Sequence, residues 1–324
     1  MMCFILNCTS CSRVRFGSKI LAAPLLLALA AAAEPPPPIL LFTVPPEHRL
    51  IEGIATDRRS TIWLSSVLDR TIIEREGDGF RTIILPDGVK YPLGIAWDAR
   101  RKWLWIATDC PDLPGIGKCR QGALVAIDRA GRMHAQVSVE PSFHPGDVSA
   151  SEGEVFVSDS QTGAVYRWND AARKLDVLIP VGIGRSAQES ARVGNQLFVA
   201  DYRDGITRID LTSNARTLLP LPDGSPLNGV DGLVRAGGWF IGVRNGAKNP
   251  ALIAFKTDDA HVSEAQVLAR GGLMKDPTQI AVSGDHLLLV GEAGWDAAAA
   301  GSPRTEGAPI LSLALPHCKA PKRL

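Results

Sequence analysis

The sequence has almost no excess of charge of either sign and few aromatic residues. Its 324 residues contain 35 Lys and Arg against 34 Asp and Glu, which leaves a net charge of +1. A nucleic-acid-binding protein usually carries a basic surplus on one face, so this balance gives no support to that class. Aromatic residues make up only 6% of the chain, but 45% of the residues are hydrophobic. This composition supplies a globular core and argues against a largely disordered chain.

The apolar run near the N-terminus, Ile20 to Ala33, has 14 residues and is too short for an ordinary membrane-spanning helix. Basic residues precede it and alanines end it, which is the pattern of a secretory signal peptide. We therefore expect residues 1–33 to be a signal peptide that is cleaved near Ala33–Glu34; an uncleaved N-terminal anchor is the alternative. The cleaved protein would be periplasmic or secreted, with no membrane segment.

Cysteine is scarce in the predicted mature chain. Of the six cysteines in the sequence, only Cys110, Cys119 and Cys318 follow the predicted signal peptide. Cys110 and Cys119 bracket a loop rich in proline and glycine. We expect a disulfide there because export leads to an oxidising compartment, and two free thiols are the alternative. Cys318 would then remain unpaired.

The sequence also lacks a sustained helical period, which argues against a parallel α/β fold. Instead, one unit recurs six times: a short strand resembling Gly-Ile-Ala, a turn, and a second apolar strand that often ends in Ser or Ala and Asp. The inner strands of the six units begin at Glu52, Leu93, Gly146, Gln188, Asp231 and Thr278. The steps between these residues are 41 to 53 residues long. That is the length of a four-stranded propeller blade.

The repeat predicts an all-β fold, a six-bladed β-propeller that forms a single domain over residues 39–316. A Pro-rich leader at 34–38 precedes this domain, and a tail at 317–324 follows it. The sixth unit ends with Pro309–Leu313 as its third strand, with no outer strand after it. Ile39–Val44 is strand-like. We expect this N-terminal strand to complete the last blade and close the ring, because pairing would remove an open sheet edge.

Strand direction alternates within a blade, so the starts of the inner strands and the ends of the second strands lie on one face. The six starting residues therefore surround one mouth of the central channel, with Asp147 and Glu189 one place further along. The second strands bring more polar residues to this face: Asp109, Asp159, Asp201, Asn245 and Glu292. Asp57 and Asp98 belong to the opposite face. Converging oxygen ligands suit a hard divalent cation, although aspartate at a strand end also commonly makes a turn.

Three segments resemble motifs of the gluconolactonase-like family that includes regucalcin (senescence marker protein 30). They are Glu52–Ala55, Val199–Tyr202 and Val230–Leu233. The resemblance covers about residues 45–315 and is greater to a divergent bacterial branch than to the well-studied lactonases. The family is a six-bladed propeller that hydrolyses sugar lactones or other esters with a divalent metal. The resemblance therefore implies a lactone or ester hydrolase with calcium, or else magnesium, zinc or manganese, as its cofactor.

By this resemblance, Glu52 and Asp231 correspond to carboxylate metal ligands, and Gln188 takes the place of an asparagine ligand. Asp231 would also help to activate water as the catalytic residue. A further family asparagine falls on Gly146, which has no side chain that coordinates a metal. Residues that would contact the substrate are Asp147, His144, Asn245 and Trp295. His144 also fits a general base or a surface-loop histidine, and Trp295 a packing residue.

Two other functions stay open at this point. The propeller would bind a small ligand or a protein partner without catalysis, or it would host another enzyme class, such as a lyase that uses His144. For the hydrolase we expect a small-molecule substrate, no nucleic-acid partner and a monomeric chain.

Overall fold

A computed structural model of the chain describes residues 37–57 and 61–315. Within these residues the chain forms 24 strands and one short helix. The strands make six four-stranded antiparallel sheets, which are the six blades of a β-propeller. The predicted signal peptide and Cys318 lie outside the described residues, as does the tail at 317–324.

Strand β1 (Ile39–Thr43) comes first in the chain, and the next twenty strands form five blades in sequence order. Blade 1 contains β2 (Ile51–Thr56), β3 (Thr61–Ser66), β4 (Thr71–Glu76) and β5 (Gly79–Ile84). Blade 2 contains β6 (Tyr91–Asp98), β7 (Trp103–Asp109), β8 (Ala123–Ile127) and β9 (Met133–Val137). Blade 3 contains β10 (Pro145–Ser151), β11 (Glu154–Asp159), β12 (Val165–Asn169) and β13 (Lys174–Ile179).

The second half of the ring continues the same pattern. Blade 4 contains β14 (Ala187–Val193), β15 (Gln196–Asp201), β16 (Gly205–Asp210) and β17 (Arg216–Leu219). Blade 5 contains β18 (Val230–Ala236), β19 (Trp239–Arg244), β20 (Ala251–Thr257) and β21 (Val262–Arg270). Blade 6 contains β22 (Ile280–Ser283), β23 (His286–Val290) and β24 (Pro309–Ala314), with helix α1 (Trp295–Ala299) between the last two.

The N-terminal strand completes blade 6, as the sequence predicts. Strand β1 pairs antiparallel with β24, so that Leu40 lies opposite Leu311. The pairing continues past β1, because the Val44 N–H donates to the Ala308 carbonyl at 2.9 Å. Val44 is fully buried in a cluster with Ile310. The predicted ring closure is therefore confirmed.

Two local features of blade 6 differ from the sequence-based expectation. Helix α1 was not expected, because five residues are too few to show a helical period. The inner strand begins at Ile280 rather than at Thr278. Pro277, which has no N–H to extend the ladder, precedes this segment.

The second strands have continuous burial because each blade is covered by neighbours on both faces. All six residues of β3 are buried, whereas five of the six residues of the outer strand β5 are exposed. Aromatic rings fill the gaps between blades. Trp63 stacks on Trp97 with a centroid distance of 4.5 Å, and Phe198 contacts Phe240 at 4.4 Å. Among the described residues, no helix is long and apolar enough to cross a membrane.

The inner strands of blades 1 to 5 are bulged at the end that faces the mouth. In blade 1 the register with the second strand shifts between Ile51 and Ile54, and in blade 5 between Val230 and Leu233. Blades 2, 3 and 4 have the same irregularity. A bulge leaves residues outside the ladder and re-aims their side chains. Glu52 and Asp231 lie in these shifted stretches and line the channel mouth.

The ring closure predicts unequal effects of two substitutions near the N-terminus. Val44→Ala removes two buried methyl groups, so it should lower the free energy of unfolding by about 2 kcal/mol. Leu40→Ala is the control, because Leu40 is 50% exposed and its loss should change stability by less than about 0.5 kcal/mol. Urea unfolding of the two variants measures the difference. Equal stability of both would contradict a structural role for this segment.

Candidate functional site

A cavity of about 950 Å³ opens at one mouth of the propeller. All six residues predicted to surround the mouth line it: Glu52, Leu93, Gly146, Gln188, Asp231 and Thr278. Three of the four predicted substrate contacts, His144, Asn245 and Trp295, line it as well. Asp147 does not, because it is 2% exposed and lies beneath the cavity wall.

Glu52 is a buried carboxylate that is held by an indole. Its Oε2 accepts a hydrogen bond from Trp295 Nε1 at 2.5 Å. Trp295 is the first residue of α1, and Asp276 Oδ2 fixes this helix start by accepting from the N–H groups of Gly294 and Trp295 at 2.9 and 2.8 Å. Burial, together with the nearby Asp231, raises the pKa of Glu52 well above its ordinary value, although the Trp295 bond opposes the rise.

Asp231 forms a carboxylate–amide pair with Asn245. The Asn245 Nδ2 group donates to Asp231 Oδ2 at 2.8 Å and to the Pro277 carbonyl at 2.9 Å. These bonds fix the amide plane, and Asn245 Oδ1 is buried without a hydrogen-bond partner among the described residues. Burial raises the pKa of Asp231 to about 6, although the hydrogen bond from Asn245 opposes the rise.

Gln188 and Gly146 lie side by side at the mouth, and there is little room for a side chain at position 146. Gln188 Nε2 donates to Ser186 Oγ at 3.1 Å. A Cβ atom at Gly146 would lie 2.8 Å from the Ser160 Cβ and 3.7 Å from the Gln188 Oε1. An asparagine at position 146 would therefore displace Ser160. The longer side chain of Gln188 brings an amide oxygen next to the space that Gly146 leaves.

Asp147 and Glu189 form a second acidic layer below the mouth. Asp147 Oδ2 accepts from Gln279 Nε2 at 2.7 Å, and Glu189 Oε2 accepts from the Leu233 N–H at 2.7 Å. Gly94 makes room for the aspartate, because a Cβ there would be 2.0 Å from Asp147 Oδ1. Burial and the charge of Asp231 raise the pKa of Asp147 to about 8, and burial and Asp147 raise the pKa of Glu189.

The carboxylates of the mouth have hydrogen-bond donors but no cationic partners. Within residues 37–57 and 61–315, none of the following forms an ion pair with Lys, Arg or His: Glu52, Asp147, Glu189, Asp231 and Asp276. In the same residues, no cluster of three or more His, Cys, Asp or Glu side chains is arranged to hold a metal ion. A cation at this mouth would therefore need the amide oxygens as well as the carboxylates.

His144 and the disulfide-bonded loop form one side of the cavity. His144 Nδ1 lies 3.0 Å from Asp109 Oδ2. Cys110 and Cys119 form the predicted disulfide, with their Cα atoms 5.7 Å apart. Both cysteines line the cavity together with Ile116 and Lys118 of the loop that they close.

The other aspartates at strand ends make turns, which is the alternative that the sequence left open. Asp159 accepts from the N–H groups of Gln161 and Thr162, and Asp201 from those of Arg203 and Asp204. Glu292 pairs with Arg304 at 2.7 Å. On the opposite face, Asp98 accepts from the N–H groups of Arg100 and Arg101, and Asp57 from that of Thr61.

Sequence reasoning missed Asp276, Gln279 and Tyr202. Asp276 lies two residues before Thr278, where His144 stands relative to Gly146, so the position before an inner strand was an available signal. Tyr202 follows the second strand of blade 4 and lines the cavity. Burial, and then the charges of Asp231 and Asp276, raise the pKa of Tyr202.

The acidic mouth predicts a pH-dependent stability of the cation-free protein. Because the pKa of Asp147 is about 8 rather than the ordinary 3.8, the folded protein keeps a proton that the unfolded chain has released. The free energy of unfolding should therefore fall as the pH rises from about 4 through about 8. Urea unfolding in EDTA at pH 5 and pH 8 measures this slope.

Asp147→Asn should make this slope shallower and stabilise the protein at pH 8. Asp78→Asn is the matched control, because Asp78 is exposed at the surface and its loss should keep the wild-type slope. An Asp147→Asn variant with the full wild-type slope would show that the mouth carboxylates are not the cause.

The disulfide predicts a second stability effect. Cys110 and Cys119 are nine residues apart, and a loop of that length stabilises the folded state by about 3 kcal/mol through the entropy of the unfolded chain. The double substitution Cys110→Ala and Cys119→Ala should lose about this much in urea unfolding, and reduced wild type should match it. Thiol titration of the unreduced mature protein should find one free thiol; three would contradict the disulfide.

The known proteins that this chain resembles are similar in fold. No family model and no curated protein sequence matches it. Among solved structures, the PQQ-bound aldose sugar dehydrogenase of Streptomyces coelicolor is 14% identical, with a TM-score of 0.56, over 85% of this chain and 97% of that one. The virginiamycin B lyase of Staphylococcus aureus is 15% identical, with a TM-score of 0.57, over 78% and 81%. A luciferin-regenerating enzyme is 14% identical, with a TM-score of 0.57, over 83% and 92%.

At these identities the similarity concerns the fold alone, and the three neighbours carry different names. All three are enzymes by name, so the chain shares its propeller architecture with enzymes of more than one class.

Proposed function

We propose that this chain is an exported hydrolase of a lactone or small ester that depends on a divalent cation. The observation that carries the proposal is the pair of buried carboxylates, Glu52 and Asp231, at the wall of the cavity. No cationic side chain in the described residues neutralises them, and each has an oxygen that its hydrogen-bond donor leaves unused. Charged groups buried in this way need protons or a bound cation.

The donor set fits a hard divalent cation. Glu52 and Asp231 would supply two negative charges, and Gln188 and Asn245 would supply neutral amide oxygens. The unpartnered Asn245 Oδ1 is an acceptor that a cation would satisfy. All-oxygen sites favour calcium or magnesium, with manganese next, and zinc suits them less. A bound cation supplies a positive charge that polarises an ester carbonyl.

Residues of this chain would then accept the proton that the attacking water loses. Asp231 would be the base, because Asn245 occupies its Oδ2 and leaves its other oxygen to accept a proton from water. Asn245 keeps the Asp231 carboxylate in one orientation. Trp295 holds the Glu52 carboxylate and forms part of the wall beside the substrate.

Export agrees with the disulfide, because such bonds persist in oxidising compartments. The predicted signal peptide supports the same location. The substrate would be a small molecule, since a cavity of about 950 Å³ is at the upper end of small-molecule sites.

A propeller that binds a ligand without catalysis is the second candidate. Gly146 favours it, because this position offers no side-chain ligand and thus leaves one fewer oxygen for a cation. The same cavity would then hold a small polar molecule.

Substitution of Asp231 tests the proposal. Wild type should hydrolyse aliphatic lactones or 4-nitrophenyl acetate, lose activity in EDTA and regain it with Ca²⁺, Mg²⁺, Mn²⁺ or Zn²⁺. Asp231→Asn and Glu52→Gln should each lower kcat/KM by about 10²-fold or more. Both should also weaken Ca²⁺ binding in titration calorimetry, whereas Asp78→Asn should change neither quantity.

A wild-type protein that binds none of these cations and hydrolyses none of the esters would contradict the proposal. The second candidate would then gain support if a small polar ligand bound wild type and lost affinity when Trp295→Ala altered the wall.

A further inference from the structure

His144 has a hydrogen-bond partner on one side of its ring and the cavity on the other. Its Nδ1 lies 3.0 Å from Asp109 Oδ2, and the two side chains are only 15% and 7% exposed. No described residue forms a hydrogen bond with Nε2. Because a carboxylate only accepts hydrogen bonds, the ring proton of neutral His144 belongs on Nδ1. The remaining nitrogen, Nε2, is therefore available to a molecule in the cavity.

The backbone of His144 is held from the neighbouring turn. Its N–H donates to Asp159 Oδ2 at 2.9 Å, and its carbonyl accepts from the Ser160 N–H at 3.1 Å. These bonds place the start of blade 3 next to the second strand of the same blade. The Asp159 side chain therefore has two roles. It accepts the N–H groups of its own turn, and it also holds the backbone of His144.

Asp109 is fixed by the disulfide-bonded loop. It is the last residue of β7, directly before Cys110, and its Oδ1 lies 3.4 Å from Cys119 Sγ. The Cys110 N–H also donates to this carboxylate, whose Oδ2 contacts His144 Nδ1. The pKa of Asp109 is raised by burial, and the bonds from Cys110 and His144 oppose that rise.

We propose that His144 is the general acid of the hydrolysis and that Asp109 is its positioning residue. This inference rests on the proposed function. It adds a proton donor for the leaving oxygen, which neither the cation nor Asp231 supplies. A buried carboxylate behind an imidazole orients the ring and stabilises the imidazolium form. The imidazolium carries a second proton on the opposite nitrogen, Nε2, and this is the proton that it donates into the cavity.

The step begins with Asp231 ionised and His144 in its imidazolium form, with a proton on each ring nitrogen. Asp231 takes one proton from water, and the water oxygen forms a bond to the carbonyl carbon. The ester C–O bond then breaks, its electron pair goes to the leaving oxygen, and that oxygen takes the proton from His144 Nε2. The proton on Asp231 returns to His144 through solvent in the cavity. The net reaction is water plus ester to acid plus alcohol, which for a lactone is one hydroxy acid.

The chain offers a matched control for this dyad. His134 Nε2 also lies 3.0 Å from an aspartate oxygen, Asp128 Oδ2, so the pair has the same contact distance. His134 does not line the cavity. A requirement for His144 alone would therefore reflect its position at the site rather than a general effect of removing a His–Asp pair.

The experiment compares substrates with poor and good leaving groups. General acid catalysis contributes about 10²- to 10⁴-fold when the leaving oxygen is strongly basic and little when it is not. His144→Gln should therefore lower kcat by about 10²-fold or more on an aliphatic lactone and by less than about 10-fold on 4-nitrophenyl acetate. KM should change by less than about 3-fold in both cases, and His134→Gln should match wild type.

Equal losses on both substrates, or no loss on either, would overturn the role of His144 while leaving the proposed function standing. A wild-type protein without hydrolytic activity would instead overturn the proposed function, and this role with it. The two failures are thus distinguished by the wild-type assay.

A nitrogen NMR measurement tests the positioning role of Asp109 without an activity assay. With ¹⁵N-labelled histidine and His144→Gln as the assignment reference, neutral His144 should carry its proton on Nδ1. Asp109→Asn should lose this preference, because an amide accepts or donates equally well. A neutral wild-type ring that carries its proton on Nε2 instead of Nδ1 would overturn the role of Asp109.

Discussion

The hydrogen bonds between β1 and β24 join the two ends of the folded chain in blade 6, and blade 6 in turn contacts blade 1 at the cavity. Trp295 of blade 6 holds Glu52 of blade 1, and the Thr278 hydroxyl donates to the Glu52 carbonyl at 2.8 Å. Both contacts cross from the last blade to the first. The position of Glu52 therefore depends on how blade 6 packs against blade 1.

The second constraint is the crowding of acid groups where six inner strands converge. The bulges leave Glu52 and Asp231 outside the ladders, and burial raises the pKa values of Glu52, Asp147 and Asp231. Protons and a cation would compete for the same oxygens. Under the proposed function, cation binding would release protons and become stronger as the pH rises. The inner strands are also close together here. Glycine is needed at position 94, because any side chain there would collide with Asp147.

The blade pattern was readable from the sequence because it depends on local features. Short apolar strands, Gly and Asp turns and a regular spacing predicted six blades, and the missing outer strand of the sixth unit predicted the use of Ile39–Val44. Strand direction alone then predicted which residues surround the mouth. The contact between Glu52 and Trp295 spans 243 residues and has no local signature. The dyad of Asp109 and His144, 35 residues apart, depends likewise on how one loop packs against the next blade.

Ring closure also has a consequence for folding, because the pairing of β1 with β24 requires both ends of the folded domain. Ile39–Thr43 is the first strand of the described residues, yet its partner β24 begins at Pro309, about 270 residues later. Pairing over such a sequence separation carries a large loop-closure entropy and is slow. Until β24 arrives, Ile39, Leu40 and Leu41 form an unpaired apolar strand, the kind of segment that chaperones bind and that aggregates when it is left exposed. During synthesis the closing strand is therefore exposed until the last strand of the ring has been made.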